Sequence, residues 1–226
     1  MTHRWADVGV AIRGVCWGTG MDQGTTAVVA VSLLLVTWYV AGHIYNRRRG
    51  RRLRRWLETG LGVLGGEREA GWIGSPASGA RINVRQAKSP FRRLVITLLL
   101  ENREIPLLWL LDCLRGKRDR IIIRATLRSP RSGEVRLPSN GPSEREAGSW
   151  MWLNGPQELN LAYRGRNAQR MATALAPWVD TYGSQIRCFH WRKQDPHINL
   201  QLKIAGLLDT KAETFFADLS TALRPN

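Results

Sequence analysis

The sequence predicts an α+β protein in which one membrane-spanning helix is followed by a domain with a mixed or antiparallel sheet. Three observations support this fold class. An uncharged apolar run near the N-terminus is long enough to cross a bilayer. Strand-like segments then alternate with segments of helical periodicity. The 226 residues are 43% apolar and 23% charged, which excludes a disordered chain, a collagen-like repeat and a disulfide scaffold.

The membrane-spanning helix is predicted over residues 25–45, which contain no Asp, Glu, Lys or Arg. At about 1.5 Å per residue, a helix of this length crosses the ~30 Å hydrocarbon core of a bilayer. Trp38, Tyr39 and Tyr45 lie toward its C-terminal end, where aromatic rings favour the interface. A buried core helix and a cleaved signal peptide are the alternatives. The arginines that follow the run oppose translocation and so disfavour a signal peptide.

The charges on either side of the span predict its orientation. Residues 1–24 form an N-terminal tail with two arginines and two aspartates, whereas seven arginines follow the span within nine residues. The positive-inside rule therefore places the N-terminus outside the cell (inner) membrane and the C-terminal domain in the cytoplasm. Met21 lies just before the span, so a translation start at Met21 is an alternative to Met1.

Residues 46–65 are predicted to form an amphipathic helix in the membrane interface. Their leucines and Trp56 recur at spacings of three and four, opposite the arginines. In this position the arginines contact anionic lipid headgroups or another polyanion, and a stop-transfer cluster without ligand specificity is the alternative. These arginines are Arg47, Arg48, Arg49, Arg51, Arg52, Arg54 and Arg55.

The glycine-rich residues 66–79 are predicted to be a linker, and residues 80–226 a cytoplasmic α+β domain. Alternating or continuous apolar runs predict the strands of this domain. The run at 94–100 is apolar on both faces, as a central strand is, and the run at 121–128 alternates as a half-buried strand does. The predicted strands are residues 81–88, 94–100, 121–128, 134–137, 150–153, 158–164, 184–191 and 198–204.

Helical periodicity predicts three helices in the domain, at residues 104–115, 167–181 and 210–223. The first has Pro106 in its first turn and Gly116 just beyond its end. The second has Asn167 as its expected cap, and the third has Asp209 or Thr210. The polar residues 138–149 predict a turn-rich segment between strands.

The order of these elements suggests an internal duplication. Residues 94–153 and 158–223 both follow a βαββ order, with a short or full helix after it, at an offset of about 64 residues. A ferredoxin-like unit has a compatible order. Residue identity at this offset is poor, so a coincidence of ordinary element lengths is the alternative.

The sequence contains no recognised catalytic motif, and no cofactor is expected. Glu101 and Glu104 could form an acid–base pair, but Arg103 lies between them, which favours a solvated, salt-bridged loop. No metal site is expected. The only weak candidate is Cys188, His190 and His197, whose spacing on a hairpin could hold zinc, although a hairpin edge with incidental histidines is more common.

The net charge of +16 predicts a polyanionic partner, which can be anionic lipid headgroups, an acidic protein face or nucleic acid. Five arginines on predicted strands could form one basic sheet face. A nucleic-acid platform needs aromatic rings among them, and only Trp150 and Trp152 lie near. These arginines are Arg81, Arg85, Arg124, Arg128 and Arg136.

The sequence therefore predicts a membrane-anchored, non-enzymatic interaction module or accessory subunit of a membrane complex. Its expected partners are anionic lipid headgroups and another membrane or cytoplasmic protein. The alternative is a membrane-tethered protein that binds nucleic acid or senses a small ligand.

Overall fold

A computed structural model of the protein describes residues 22–129, 131–137, 150–153 and 160–224. The α+β class is confirmed, with a long apolar helix near the N-terminus and an open sheet. The predicted tail up to Met21 and the predicted turn-rich segment at 138–149 lie outside the described residues. In chain order the elements are α1 (Gln23–Leu64), β1 (Glu67–Trp72), β2 (Gly79–Arg85), β3 (Phe91–Leu99), α2 (Pro106–Leu114), β4 (Arg120–Leu127), β5 (Glu134–Leu137), β6 (Met151–Leu153), β7 (Leu161–Arg164), α3 (Ala168–Tyr182), β8 (Ile186–Trp191), β9 (Ile198–Lys203) and α4 (Ala212–Ala222).

The chain divides into two compact units, Met1–Thr37 and Trp38–Asn226. In the first unit, the described residues belong to the start of α1 and all are exposed, including Val28 at 66% and Leu34 at 65%. An 18-residue window of α1 has a mean hydropathy of 1.9 and a buried share of 0%. The helix is therefore long and apolar enough to cross a membrane, and its exposed side chains do not match the core helix of a soluble protein.

The second unit contains a sheet of nine strands in the order β1-β2-β3-β4-β9-β8-β5-β7-β6. All strand pairings among the described residues are antiparallel, so the sheet is antiparallel and not mixed. Burial alternates along the central strands. Leu94, Ile96 and Leu98 of β3 are fully buried, and the residues between them are half-buried. One sheet face therefore packs on the core, and the opposite face is called the open face below.

The C-terminal half of α1 packs into this core. Leu53, Leu57 and Leu61 are fully buried, and Leu64 is 2% exposed. This differs from the expected interfacial position of residues 46–65, because the apolar side of the helix contacts the domain and not acyl chains. The spacing of three and four identifies an amphipathic helix, but it does not identify the apolar surface that covers it.

Residues 66–79 are not a linker, because β1 occupies the first half of this segment. β1 pairs antiparallel with β2 over its whole length, from Glu67 opposite Arg85 to Trp72 opposite Ala80. Most of its side chains are exposed, as on an edge strand, so its sequence lacks the apolar alternation that predicts a half-buried strand.

The proposed duplication is not confirmed, because the two segments pair their strands differently. In the first segment, β3 and β4 flank α2 and are antiparallel neighbours. In the second, β7 and β8 flank α3 and each pairs antiparallel with β5, so β7 and β8 run parallel with β5 between them. A similar order of elements therefore builds two different arrangements.

Aromatic side chains join α1 to α4 on the core face. The Trp56 ring centroid lies 5.8 Å from that of Phe215 and 5.9 Å from that of Phe216. Trp56 Nε1 donates a hydrogen bond to the Thr210 carbonyl at 2.7 Å. These contacts fix the register of α1 on the domain, since an indole in the core needs both packing partners and a hydrogen-bond acceptor.

Substitutions at two glycines of α1, Gly60 and Gly62, can test whether this half of the helix packs on the domain. A Cβ at Gly60 would approach Phe216 Cδ2 to 2.6 Å and Ala212 Cβ to 2.8 Å, whereas a Cβ at Gly62 meets no atom of the described residues within 4 Å. We expect Gly60→Ala to lower the free energy of unfolding by about 1–3 kcal/mol through overpacking. Gly62→Ala should leave it unchanged or raise it by up to about 1 kcal/mol, because alanine favours a helix.

Denaturant unfolding of both variants in the same detergent measures the difference. Equal stability of the two variants would contradict the packing of α1 against α4.

The free energy of unfolding is expected to depend on pH in the alkaline range because of Tyr182 on α3. Its hydroxyl donates to Asp218 Oδ2 at 2.8 Å, and burial together with this bond raises the pKa of Tyr182 to about 12. An unfolded tyrosine has a pKa near ~10. The folded state therefore keeps its proton where the unfolded state loses it, so this contribution is complete below about pH 10 and is lost as the pH rises through about 12.

We expect the stability of the wild-type protein to fall more steeply across this alkaline window than that of Tyr182→Phe, by up to about 2–3 kcal/mol in total. Denaturant unfolding at a series of pH values measures both slopes. Parallel slopes would show that Tyr182 titrates as an ordinary tyrosine.

Candidate functional site

A polar cluster lies just after the predicted membrane span, where α1 reaches the domain. We use this name for Asn46, Arg49, Glu101, Arg103 and Asp119. Asn46 is 1% exposed, and both ends of its amide are bonded. Its Nδ2 donates to the Glu101 carbonyl at 2.7 Å, and its Oδ1 accepts from the Arg103 guanidinium at 2.9 Å. One side chain of α1 thus holds the loop that follows β3.

Arg103 and Asp119 form the centre of the polar cluster. The two terminal nitrogens of Arg103 each donate to one Asp119 carboxylate oxygen at 3.0 Å, which is the bidentate geometry that suits this pair. Arg103 also lies 3.1 Å from Glu101 Oε2. The Glu101 and Asp119 carboxylates each accept the backbone N–H of the other residue, at 3.2 Å and 2.7 Å. The loop after β3 and the start of β4 are therefore joined by charged groups.

Arg49 adds a second positive charge. Its Nε lies 2.8 Å from Asp119 Oδ2, an ion-pair distance, although the N–H does not point at that oxygen as in a hydrogen bond. The Glu101 and Asp119 side chains are each only 5% exposed, and they face the guanidinium groups of Arg103 and Arg49. The exposed Arg118 lies farther away, at 3.9 Å from Glu101 Oε1. Burial by itself would lower the pKa of Arg103, but hydrogen bonding to Asp119 and the negative charges of Asp119 and Glu101 raise it.

Glu101 and Glu104 lie in a salt-bridged loop, as expected, but this loop is not solvated at Glu101. Glu101 is buried in the polar cluster, and Glu104 Oε1 lies 2.9 Å from His43 Nδ1 of α1. The two carboxylates therefore have different partners. Sequence reasoning missed the cluster, although Asn46, the first residue after the apolar run, was an available signal.

The arginines after the span take up several environments. Arg54 Nε donates to Glu58 Oε1 at 2.7 Å, and its guanidinium lies 4.8 Å from the Trp72 ring centroid. Arg49 belongs to the polar cluster. The remaining side chains are exposed and so are accessible to an anionic surface. These are Arg47, Arg48, Arg51, Arg52 and Arg55.

The strand arginines of the expected basic face are mostly on the open face. Each of Arg81, Arg85, Arg124 and Arg136 alternates with buried core residues along its strand. Arg128 lies after β4, and its guanidinium donates to the Phe91 carbonyl at 3.1 Å and to the Ala87 carbonyl at 2.8 Å. These bonds stabilise the turn between β2 and β3.

The cross-strand register places Arg124 in one row of the open face with residues of three neighbouring strands. Asn83 lies opposite Val95, Val95 opposite Arg124, and Arg124 opposite Asn199. Asn83 Oδ1 and Asn199 Oδ1 are both buried and have no hydrogen-bond partner among the described residues. The row therefore combines a guanidinium group with two acceptor oxygens that lack partners within the described chain.

Trp150 is not placed as a stacking platform. Two guanidinium groups pack on its ring, that of Arg136 at 5.0 Å and that of Arg164 at 4.6 Å from the ring centroid. Trp150 is 8% exposed, whereas Trp152 is 37% exposed. Arginines already pack on the Trp150 ring, which a stacked base would otherwise contact.

The three residues of the weak candidate metal site, Cys188, His190 and His197, do not form one cluster. Cys188 Sγ lies 3.6 Å from His190 Nε2, but His197 Nδ1 accepts the backbone N–H of Leu127 at 3.2 Å. Burial raises the pKa of Cys188, against the nearby arginines that lower it, so the thiol form is favoured. The part of the chain that the structure describes has no group of three or more His, Cys, Asp or Glu residues placed to hold a metal ion.

In comparisons with known proteins, no family model matches the chain and no curated protein matches it. The functional interpretation therefore depends on the arrangement of the chain's own residues.

Proposed function

We propose that the chain is a single-pass membrane-anchored protein whose cytoplasmic domain is a non-enzymatic interaction module, serving as an accessory subunit of a membrane complex. The observation that carries this proposal is the structure of α1. Its early residues are apolar and exposed, and Asn46 then begins a buried polar cluster that joins the helix to the domain. Exposed apolar residues suit a bilayer, and the polar cluster suits its boundary.

The contacts of α1 support a retained anchor over a cleaved signal peptide. Trp38 Nε1 donates to the Arg103 carbonyl at 3.1 Å, and His43 lies 2.9 Å from Glu104. Cleavage after the apolar run would remove these contacts and expose the loop that they hold. The exposed arginines that follow support a cytoplasmic location for the domain, where they can contact anionic lipid headgroups.

The open face supports the role of interaction module. Arg81 and Arg124 are exposed on this face. A partner with acidic groups would pair with these two guanidinium groups. The candidate partner is thus a membrane or cytoplasmic protein. Nucleic acid is less favoured, because arginines already pack on the Trp150 ring.

The experiment is purification of the full-length protein from its native membrane in mild detergent, followed by mass spectrometry of the proteins that accompany it. We compare wild type with Arg81→Glu/Arg124→Glu on the open face and with Arg170→Glu, an exposed position on α3. The proposal predicts stoichiometric membrane subunits with wild type and Arg170→Glu, and their loss with the double variant. Retention of those subunits by the double variant, or recovery of wild type without any, would contradict it.

A further inference from the structure

Helix α2 is apolar and yet exposed. Its sequence is PLLWLLDCL, and every residue in it is at least partly accessible. The exposed fractions of its leucines are 66% at Leu107, 43% at Leu108, 50% at Leu110, 38% at Leu111 and 76% at Leu114. A contiguous apolar surface of this kind is rare on soluble domains and marks a binding or membrane surface.

The start of α2 lies against the part of α1 that belongs to the predicted span. The ring centroids of Trp38 and Trp109 are 5.6 Å apart. Gly42 faces the Arg103 carbonyl so closely that a Cβ there would clash with it, so only glycine permits this approach. Exposed residues of α1 beside these contacts include Val40 and Ile44. The apolar surface of α2 is therefore continuous with the apolar surface of α1.

Two backbone carbonyls of the loop that leads into α2 accept hydrogen bonds from side chains of α1. Trp38 Nε1 bonds the Arg103 carbonyl, and Asn46 Nδ2 bonds the Glu101 carbonyl. Pro106 lacks an N–H, which removes one of the free donors at the helix start. In hydrocarbon, where water cannot satisfy a free backbone group, these bonds stabilise the loop.

Basic residues follow directly beyond both apolar segments. α2 itself contains one charged residue, Asp112, whose carboxylate pairs with Lys117 at 2.8 Å. Arg115, Lys117 and Arg118 follow α2, and Arg47 and Arg48 follow the span in α1; all five are exposed. With 9 residues, α2 is about 14 Å long, which is close to half of a ~30 Å hydrocarbon core. The helix is thus long enough to enter one leaflet and too short to cross the bilayer.

We propose that α2 inserts into the cytoplasmic leaflet beside α1, with acyl chains covering its leucines and the flanking basic residues at anionic headgroups. This inference rests on the proposed anchoring by α1. The chain then contacts the membrane through two helices, one that spans it and one that does not. Lipid is favoured over a second copy or a protein partner, because the surface joins the apolar span on one side and is bordered by cations on the other.

The test measures membrane depth with single cysteines in the full-length chain, in a background whose native cysteines are serine. Leu110→Cys reports α2, Leu35→Cys reports the span, and Thr173→Cys on α3 reports exposed protein surface. Each carries a fluorescent label, and the protein is reconstituted in vesicles of phosphatidylcholine and phosphatidylglycerol, with and without bromine on the acyl chains. We expect bromine to quench the labels at 110 and 35 severalfold more than the label at 173.

The outcomes separate the two proposals. Quenching at 35 without quenching at 110 would overturn the insertion of α2 and leave the anchor in place. Absence of quenching at 35 would overturn the anchor, and with it the placement of α2 beside a spanning helix. Disulfide cross-linking between unlabelled Leu110→Cys chains, together with an unquenched label at 110 in the labelled sample, would assign the surface to a second copy and overturn the lipid contact.

Discussion

Asp119→Ala is expected to lower the free energy of unfolding by about 3–5 kcal/mol, because it removes one partner from a buried ionic cluster. Asp119 accepts both terminal nitrogens of Arg103 at 3.0 Å and lies 2.8 Å from Arg49 Nε. Its removal leaves Arg49 without its ion-pair partner and Arg103 with the Glu101 carboxylate alone. It also leaves the Glu101 N–H without the acceptor that it has at 2.7 Å.

Denaturant unfolding of the full-length protein in detergent measures this loss. Asp112→Ala is the matched control, since Asp112 pairs with Lys117 at 2.8 Å, but the lysine side chain is 60% exposed. An exposed pair contributes at most about 1 kcal/mol, so the control should lie close to wild type. If Asp119→Ala were no less stable than Asp112→Ala, the polar cluster would not join the loop after β3 to α1 and β4.

Leu57→Ala is expected to lower the free energy of unfolding by about 2–5 kcal/mol, because it opens a cavity in the core. Leu57 is fully buried and belongs to the same hydrophobic core as the sheet residues. If residues 46–65 lay in the membrane interface, the same substitution would weaken membrane binding and leave the stability of the domain unchanged.

Val63→Ala provides the comparison within the same helix. Val63 is 37% exposed, so its truncation should change the stability by no more than about 0.5 kcal/mol. Both variants are unfolded with denaturant in the same detergent. A small effect at Leu57, equal to that at Val63, would restore the interfacial interpretation of this segment.

The sequence predicted most elements of the fold, because their periodicity is local. The apolar run at residues 25–45 and the leucine spacing of residues 46–65 both lie within α1. What the leucines pack against depends on residues far along the chain, such as Phe215 and Phe216. A helical period identifies an apolar side but not its partner, so the core position of Leu57 was not predictable from this pattern.

Strand β1 and the strand order depend on pairing rather than on local pattern. The sequence of β1, EREAGW, is polar because an edge strand with exposed side chains needs no apolar alternation. The strand order places β5 between β7 and β8, and no local signal specifies such a pairing. The interpretation as a duplication used only the order of the elements along the chain, which does not determine how strands pair.

The candidate site was predicted only in part. The exposed arginines after the span follow directly from the sequence, since a run of like charges favours solvent or an anionic surface. The polar cluster was missed because its members come from three separate segments, with Asn46 on α1, Arg103 after β3 and Asp119 before β4. Helix α2 was predicted as a helix from its own periodicity. Its position beside α1 was not predictable in this way, because it depends on the contact between Trp38 and Trp109, which are far apart in the sequence.

The central claim is that α1 anchors the chain with the domain in the cytoplasm. The most direct measurement is protease digestion of right-side-out membrane vesicles that contain the protein with a tag after Asn226, combined with alkaline carbonate extraction. The proposal predicts that the chain stays in the membrane pellet and that the tag is protected until the vesicles are opened. Release of the chain into the carbonate supernatant, or digestion of the tag in closed vesicles, would contradict the claim.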